Sequence, residues 1–191
     1  MIPPSGTVTG VARKYVALLR GINVGGKNKV PMADLRDALQ TAGHDGIRTY
    51  IQSGNVVSES SKPRKTLEPG IEETLEARFG FPLVVVVRSH DEMRATIEKA
   101  PDGFGARPDR YHSDAVFLKA PLTSKRVMEI VRLREGVDQA WPGDGVVYFQ
   151  RLSAERTKSQ MGRIASFPEY KLMTIRSWST TTRLADMLDG D

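Results

Sequence analysis

The sequence predicts an α+β protein in which one βαββαβ unit with a trailing helix follows another. Three observations predict it. The same order of elements can be read in residues 14–100 and again in 114–191. Local patterns recur at matching places: V-V-R-S-H-D-E-M-R-A-T-I (86–97) stands beside M-T-I-R-S-W-S-T-T-T-R-L (173–184), and G-N-V-V (54–57) beside D-G-V-V (144–147). Between the halves, A-P-D-G-F-G-A-R-P-D-R-Y-H-S (100–113) is rich in glycine, proline and charge, as a connection should be. A βαββαβ order is ferredoxin-like, a four-stranded antiparallel sheet with helices on one face. The expected organisation is a flexible tail at 1–13, a first ferredoxin-like subdomain at 14–100, a connecting loop at 101–113 and a second ferredoxin-like subdomain at 114–191. Each half is small enough to gain from burying surface against the other, so the two are expected to pack as one compact body. The shared order points to an internal duplication.

In the first half, an apolar run ending at Arg20 predicts a strand over 15–20. Leu35, Ala38, Leu39 and Ala42 recur at helical spacing and predict a helix near 32–42, opened at Pro31 and ended by Gly43, with Asp45-Gly46 as the following turn. Strands at 47–52 and 55–59 flank Ser53-Gly54 as a tight hairpin. Leu67, Ile71, Leu75 and Phe79 step by four along a second helix. Pro82 precedes L-V-V-V-V (83–87), β-branched enough for a buried strand. Ser89 and Glu92 have capping-box spacing and open a short helix with Met93 and Ile97 inward.

The second half repeats the plan. A strand at 114–119 leads to a helix near 124–134, with Ser124 as cap and Val127, Ile130 and Val131 on one face. A short strand near 137–140, a turn through P-G-D-G (142–145) and a strand at 146–151 make a hairpin. A helix near 155–166 presents Met161 and Ile164, a strand follows at 171–176, and a helix at 179–188 closes the chain.

Composition narrows the function classes. The chain has 191 residues, 39% hydrophobic and 27% charged, and no cysteine, which excludes disulfides, thiolate nucleophiles and cysteine-bound metals. A cytoplasmic location is the expectation that fits. No apolar run is long enough to span a membrane, and M-I-P-P-S-G-T-V-T-G lacks the charged start and apolar core of a secretory signal. The net charge of +5 is local in origin. Arg13, Lys14, Arg20, Lys27 and Lys29 lie in 13–29 without an acid, and Arg151, Arg156, Lys158 and Arg163 face only Glu155. Such clustering favours an anionic partner, and it is equally the pattern of a solvated basic face.

The most informative stretch is R-G-I-N-V-G-G-K-N-K (20–29), where a strand hands over to a helix through a basic, glycine-rich loop. Exposed backbone N–H groups in such a loop can receive an anion. In a ferredoxin-like unit this loop and the turn at 52–55 point to the same end of the sheet. The candidate ligand-binding residues are therefore Arg20, Gly21, Asn23, Gly25, Gly26, Lys27, Asn28 and Lys29 with Gln52, Ser53 and Asn55. Arg20 offers a planar fork for phosphate or carboxylate, and the lysines act as mobile point charges. A structural reading stands beside this one: the glycines permit positive φ, the asparagines stabilise turns, and Arg20 pairs with an acid of the second half. The stretch is not a P-loop, because Asn28 follows Lys27 where a hydroxyl belongs, and it does not fit the dinucleotide fingerprint.

Other candidates are weaker. His44, His90 and His112 show no metal-ligand spacing, so no metal is expected. No nucleophile elbow and no carboxylate pair is visible. Arg176 and Trp178 at the end of the last strand are secondary candidates, with Trp178 read first as a packing anchor. Tyr15, Phe117, Tyr148 and Phe149 fall within strands, where aromatic faces can stack bases, although the RNA-recognition consensus is missing.

The motifs L-L-R-G-I-N-V-G-G-K-N-K-V-P-M-A-D-L, Y-I-Q-S-G-N-V and I-R-S-W-S-T-T-T-R-L together resemble the bacterial family called domain of unknown function (DUF) 1697. The resemblance runs from Tyr15 to Leu188 and implies duplicated α+β subdomains; it implies no activity, substrate or cofactor. The family's R-N-W-N-T becomes R-S-W-S-T here, with Ser177 and Ser179 for the two asparagines, and Ser179 is able to cap the last helix. The leading functional expectation is a binding protein for a phosphate-bearing ligand, a nucleotide or nucleic acid, at the loop 21–29, with no cofactor and no membrane partner. The alternatives are an enzyme acting on a small anionic metabolite in the same pocket, with Arg20 and Asn23 orienting it, and a self-association or protein-interaction module.

Overall fold

The structure is a computed structural model that describes residues 11–52 and 54–190. Residues 1–10 of the expected tail, and Ser53, lie outside the described residues, and Arg13 already belongs to the first strand. The first half comprises β1 (Arg13–Arg20), α1 (Met32–Thr41), β2 (Asp45–Tyr50), β3 (Asn55–Ser60), α2 (Arg64–Phe79), β4 (Val84–Ser89) and α3 (His90–Glu98). The second comprises β5 (Tyr111–Leu118), α4 (Ser124–Ile130), β6 (Asp138–Pro142), β7 (Val146–Leu152), β8 (Met173–Ser177) and α5 (Trp178–Asp189). The two sheets run β2-β3-β1-β4 and β6-β7-β5-β8, all pairings antiparallel. Numbered by place, these are the same order twice, the ferredoxin-like order.

Alternation along the central strands decides the packing. Tyr15, Ala17 and Leu19 of β1 face α1 and α2, meeting Leu35, Leu39, Ile71 and Leu75. Val16 and Leu18 turn to the other face and enter a core shared with Ala115, Phe117, Val146 and Tyr148 of the second sheet. Met93 of α3 and Leu184, Met187 and Leu188 of α5 complete that core. Beyond it, Val116, Leu118, Val147 and Phe149 face Val127, Ile130, Met161 and Ile164. Both sheets are thus covered on both faces, which is why β1 and β4 read as continuous apolar runs.

Several local expectations are corrected. The segment 155–166 is not an α-helix: three 3-10 stretches, Ser153–Lys158, Met161–Ser166 and Pro168–Leu172, take its place. Ser159 is extended (φ −58°, ψ 139°), its Oγ accepts from Met161 N at 3.3 Å, and Asp138 Oδ2 accepts from Gln160 N at 2.8 Å. Side chains there take up N–H groups that an α-helix would bond to its own carbonyls. α4 stops at Ile130, with Val131 extended, and its cap is Thr123 rather than Ser124. α5 opens at Trp178, capped by Ser177 rather than Ser179. Asp45 belongs to β2, and Gly46 (φ 59°) sits in a register shift of that strand instead of a separate turn. The β2–β3 turn is longer than two residues, since Tyr50 pairs with Asn55. The capping box of Ser89 and Glu92 is formed, and Gly43 ends α1 at φ 83°.

Candidate functional site

Beyond Arg20 the chain turns through Gly21 (φ 69°), and Ile22 plugs into the first core at 2% exposure. Asn23 then adopts φ 54°, a left-handed conformation that asparagine tolerates better than most residues. Its Nδ2 donates to Val30 O (3.0 Å) and to Gln52 O (2.9 Å), and its Oδ1 accepts from Val30 N (2.8 Å). One side chain therefore closes the base of the loop and ties it to the β2–β3 turn. At the tip, Val24 and Lys27 form a bridge around Gly25 (φ 59°) and Gly26 (φ 76°), with Lys27 N donating to Val24 O at 3.1 Å. Two successive positive φ values make this a type I′ turn, which favours glycine at both places. Asn28 (φ 48°) donates from Nδ2 to Gly21 O at 3.2 Å. Both asparagines are thus occupied in building the loop.

Lys27 and Lys29 are exposed and join no ion pair among the described residues. The N–H groups of Gly25 and Gly26 likewise make no hydrogen bond among the described residues. Beside the tip lies a depression of about 590 Å³ whose lining includes Asn23, Gly26, Lys29, Met32 and Gln52.

The second half anchors this loop from beneath. Leu19 N donates to Gly54 O at 2.8 Å, and a Cβ on Gly54 (φ 78°) would stand 2.7 Å from Ile22 Cδ1 and 2.8 Å from Leu19 Cβ. Asn55, fully buried, donates from Nδ2 to Tyr50 O (3.0 Å) and accepts from Arg176 Nε at its Oδ1 (2.6 Å). Arg176 also donates to Leu19 O (2.7 Å), Thr174 Oγ1 (2.8 Å) and Ile175 O (2.9 Å). Burial pushes its guanidinium down to about 10, so it stays cationic at neutral pH. Among the described residues, Arg20 does not pair with an acid of the second half. It donates from Nε to Met173 O (3.0 Å), and its guanidinium lies 4.7 Å over the Tyr170 ring.

The structure therefore brings Arg20, Gly21, Asn23, Gln52, Asn55 and Arg176 to one end of the first sheet, with Gly25, Gly26, Lys27, Asn28 and Lys29 projecting beyond them. Trp178 stands apart. It packs edge-on against Phe104 (4.9 Å between centroids) and near Tyr148 (6.2 Å), and Gly105 lies against its ring. Tyr15, Phe117, Tyr148 and Phe149 are all buried, so these strand aromatics offer no stacking platform. His44 is buried, His90 meets Asp189 at 2.6 Å, and His112 meets Asp114 at 3.2 Å. Among the described residues no group of three or more His, Asp or Glu could hold a metal. The second basic stretch is partly neutralised, by Arg151–Asp114 (3.7 Å) and Lys158–Glu155 (2.6 Å).

Sequence reasoning missed Arg88. It is the counterpart of Arg176 in V-V-R-S and T-I-R-S, it is buried, and its Nη2 donates to Leu118 O and Gly145 O at 2.7 Å each. The local repeat carried the signal.

Residues 12–148 match the family described as Protein of unknown function (DUF1697), and the chain belongs to that family. Its fold is similar to that of the conserved bacterial protein SP0830 from Streptococcus pneumoniae. That match has a TM-score of 0.80 and 27% identity, and covers 93% of this chain and 99% of the other. No curated protein matches the chain.

Proposed function

We propose that the protein binds a phosphate-bearing ligand, a nucleotide or nucleic acid, at the loop 21–29. The observation that carries this reading is the division of labour in the loop. The asparagines are consumed in holding its shape, while Lys27 and Lys29 are left exposed and unpaired among the described residues. A rigid backbone presenting two ammonium groups and the N–H groups of Gly25 and Gly26 loses little freedom on receiving a phosphate. Residues 20–30 contain no carboxylate, imidazole or hydroxyl, and the two exposed lysines are the loop's reactive groups, which favours binding over catalysis there. With the strand aromatics buried, recognition goes through the phosphate rather than through bases stacked on the sheet.

No helix of the described residues is long and apolar enough to cross a membrane. We take the protein to be cytoplasmic, and the repeated sheet order to reflect an internal duplication.

The test is fluorescence anisotropy with labelled single-stranded DNA, RNA and ATP at low and moderate salt, for the wild type and for Lys27→Ala/Lys29→Ala. Binding that weakens in the double variant supports the proposal. An unchanged affinity contradicts it. If the ligand is a nucleic acid, affinity also falls steeply with salt.

A further inference from the structure

Arg88 and Arg176 hold equivalent places in β4 and β8, but their Nε atoms are treated differently. In Arg176 that donor meets Asn55 Oδ1 at 2.6 Å. In Arg88, Nη1 donates to Val87 O (2.8 Å) and Nη2 to Leu118 O and Gly145 O (2.7 Å each), while Nε has no partner among the described residues. The reason is a substitution between the halves: strand register, offset by one from the local sequence match, sets Gly54-Asn55 of the first against Gly145-Val146 of the second, and valine accepts nothing. Arg88 is 3% exposed and joins no ion pair among the described residues. Carbonyl dipoles and the Phe117 ring, 5.8 Å away, hold this buried cation, and with one donor left unpartnered it gains from an anion placed beside it.

Arg88 lines a cleft of about 460 Å³ between the halves. That volume suits a small molecule. Ala95 and Thr96 of α3, with Lys99 at its C-terminal cap, form one side, and Leu118, Leu122 and the 142–145 turn form the other. Val146 and Tyr148, both buried in the shared core, also line it. The rim carries charges of both signs: Lys99 joins no ion pair among the described residues, Arg64 pairs with Glu92 at 2.9 Å, and Asp91 and Asp144 add two acids. The acids disfavour a dianion such as phosphate, whereas a single negative charge with an apolar body is complementary to both the open donor and the apolar lining.

We propose that this cleft binds a small monocarboxylate with an apolar body. A carboxylate oxygen accepts from Arg88 Nε, Lys99 supplies the second cation, and the body lies against Leu118, Leu122 and Val146. The site is separate from the loop 21–29 and does not depend on the reading given to it.

The experiment is a two-dimensional nitrogen–proton NMR titration that follows the Nε–Hε peak of Arg88, assigned by its loss in Arg88→Lys. The probes are phenylacetate, isovalerate and L-leucine, with phenylacetamide and inorganic phosphate as controls. A saturable shift of that peak with at least one carboxylate, and not with either control, is expected. Val146→Asn places an amide where Asn55 stands in the first half and should weaken binding at least tenfold. Val146 is a core position, so Ala95→Phe, on a half-buried place of α3, serves as a second variant that fills the cleft and should abolish the shift. No saturable shift with any of the three carboxylates overturns the proposal. So does an equal response to phenylacetamide or phosphate, or undiminished binding by Ala95→Phe.

Discussion

Arg88 and Arg176 reach across the molecule in opposite directions and land on equivalent atoms. Arg88 donates to Leu118 O and Gly145 O of the second half, and Arg176 to Leu19 O and, at 3.4 Å, to Gly54 O of the first. The acceptors correspond in detail: Leu19 N donates to Gly54 O at 2.8 Å, and Leu118 N to Gly145 O at 2.9 Å. Each half thus holds the other's loop-bearing end through an arginine at the end of its last strand. Together with the shared core, this predicts that the halves unfold as one cooperative unit.

Removing one arginine should expose that dependence. Arg176→Ala leaves Leu19 O and Asn55 Oδ1 without this donor in a buried setting. A buried group left unsatisfied costs about 1–3 kcal/mol, so a loss of that order is expected in urea denaturation. Arg176→Lys should recover little of it, because an ammonium cannot reproduce the guanidinium fork.

Gly54 is fixed by two constraints at once, its φ of 78° and the 2.8 Å approach that a Cβ would make to Leu19 Cβ. Gly54→Ala should therefore destabilise the protein by on the order of 2 kcal/mol or more, measured by chemical denaturation. The contrast is Gly26→Ala, where a Cβ meets nothing within 4 Å and only the positive φ (76°) opposes it. That variant should lose clearly less.

The loop's scaffold and its charges should separate by mutation. Lys27→Ala and Lys29→Ala touch exposed groups that are unpaired among the described residues, so stability should stay within about 0.5 kcal/mol while phosphate binding falls. Asn23→Gly keeps the positive φ but removes three side-chain hydrogen bonds, so both stability and binding should fall. Thermal unfolding and anisotropy on the same samples distinguish the two patterns.

His44 gives the protein an acid-sensitive point. Burial first, and then the charge of Lys62, hold its imidazole below the ordinary 6.5. A depressed folded value means that the native state prefers the neutral ring. The stability tied to it is complete above about pH 6.5 and is lost as pH falls from there through the lowered value. Between about pH 7.5 and about pH 5, the wild type should lose more stability in urea than His44→Gln does.

The legible parts of the fold were those set by local pattern. Periodicity located β1, α2 and β4, the capping box located α3, and element order was enough for the sheet topology because ferredoxin-like units follow from it. The segment 153–172 was not legible. Met161 and Ile164 have helical spacing, yet the backbone is claimed by Ser159 and by Asp138, the latter distant in sequence. The site divided in the same way. Neighbouring loops of the first sheet could be placed from topology, which put Asn23 beside Gln52. The grip of Arg176 on Asn55 spans the two halves and depends on how the sheets face each other, which no local pattern encodes. Arg20 shows the same limit, since its partners Met173 and Tyr170 belong to the other half.

The central claim, a phosphate received by the loop 21–29, is tested most directly at the loop's own N–H groups. The backbone amide resonances of Gly25, Gly26 and Lys29 would be followed during titration with ATP and with a short single-stranded RNA. The account predicts saturable shifts of these amides with at least one of the two, weakened in Lys27→Ala and without movement of the Trp178 indole. Shifts confined to other regions, or none within 21–29 at saturating concentrations of both, would contradict it.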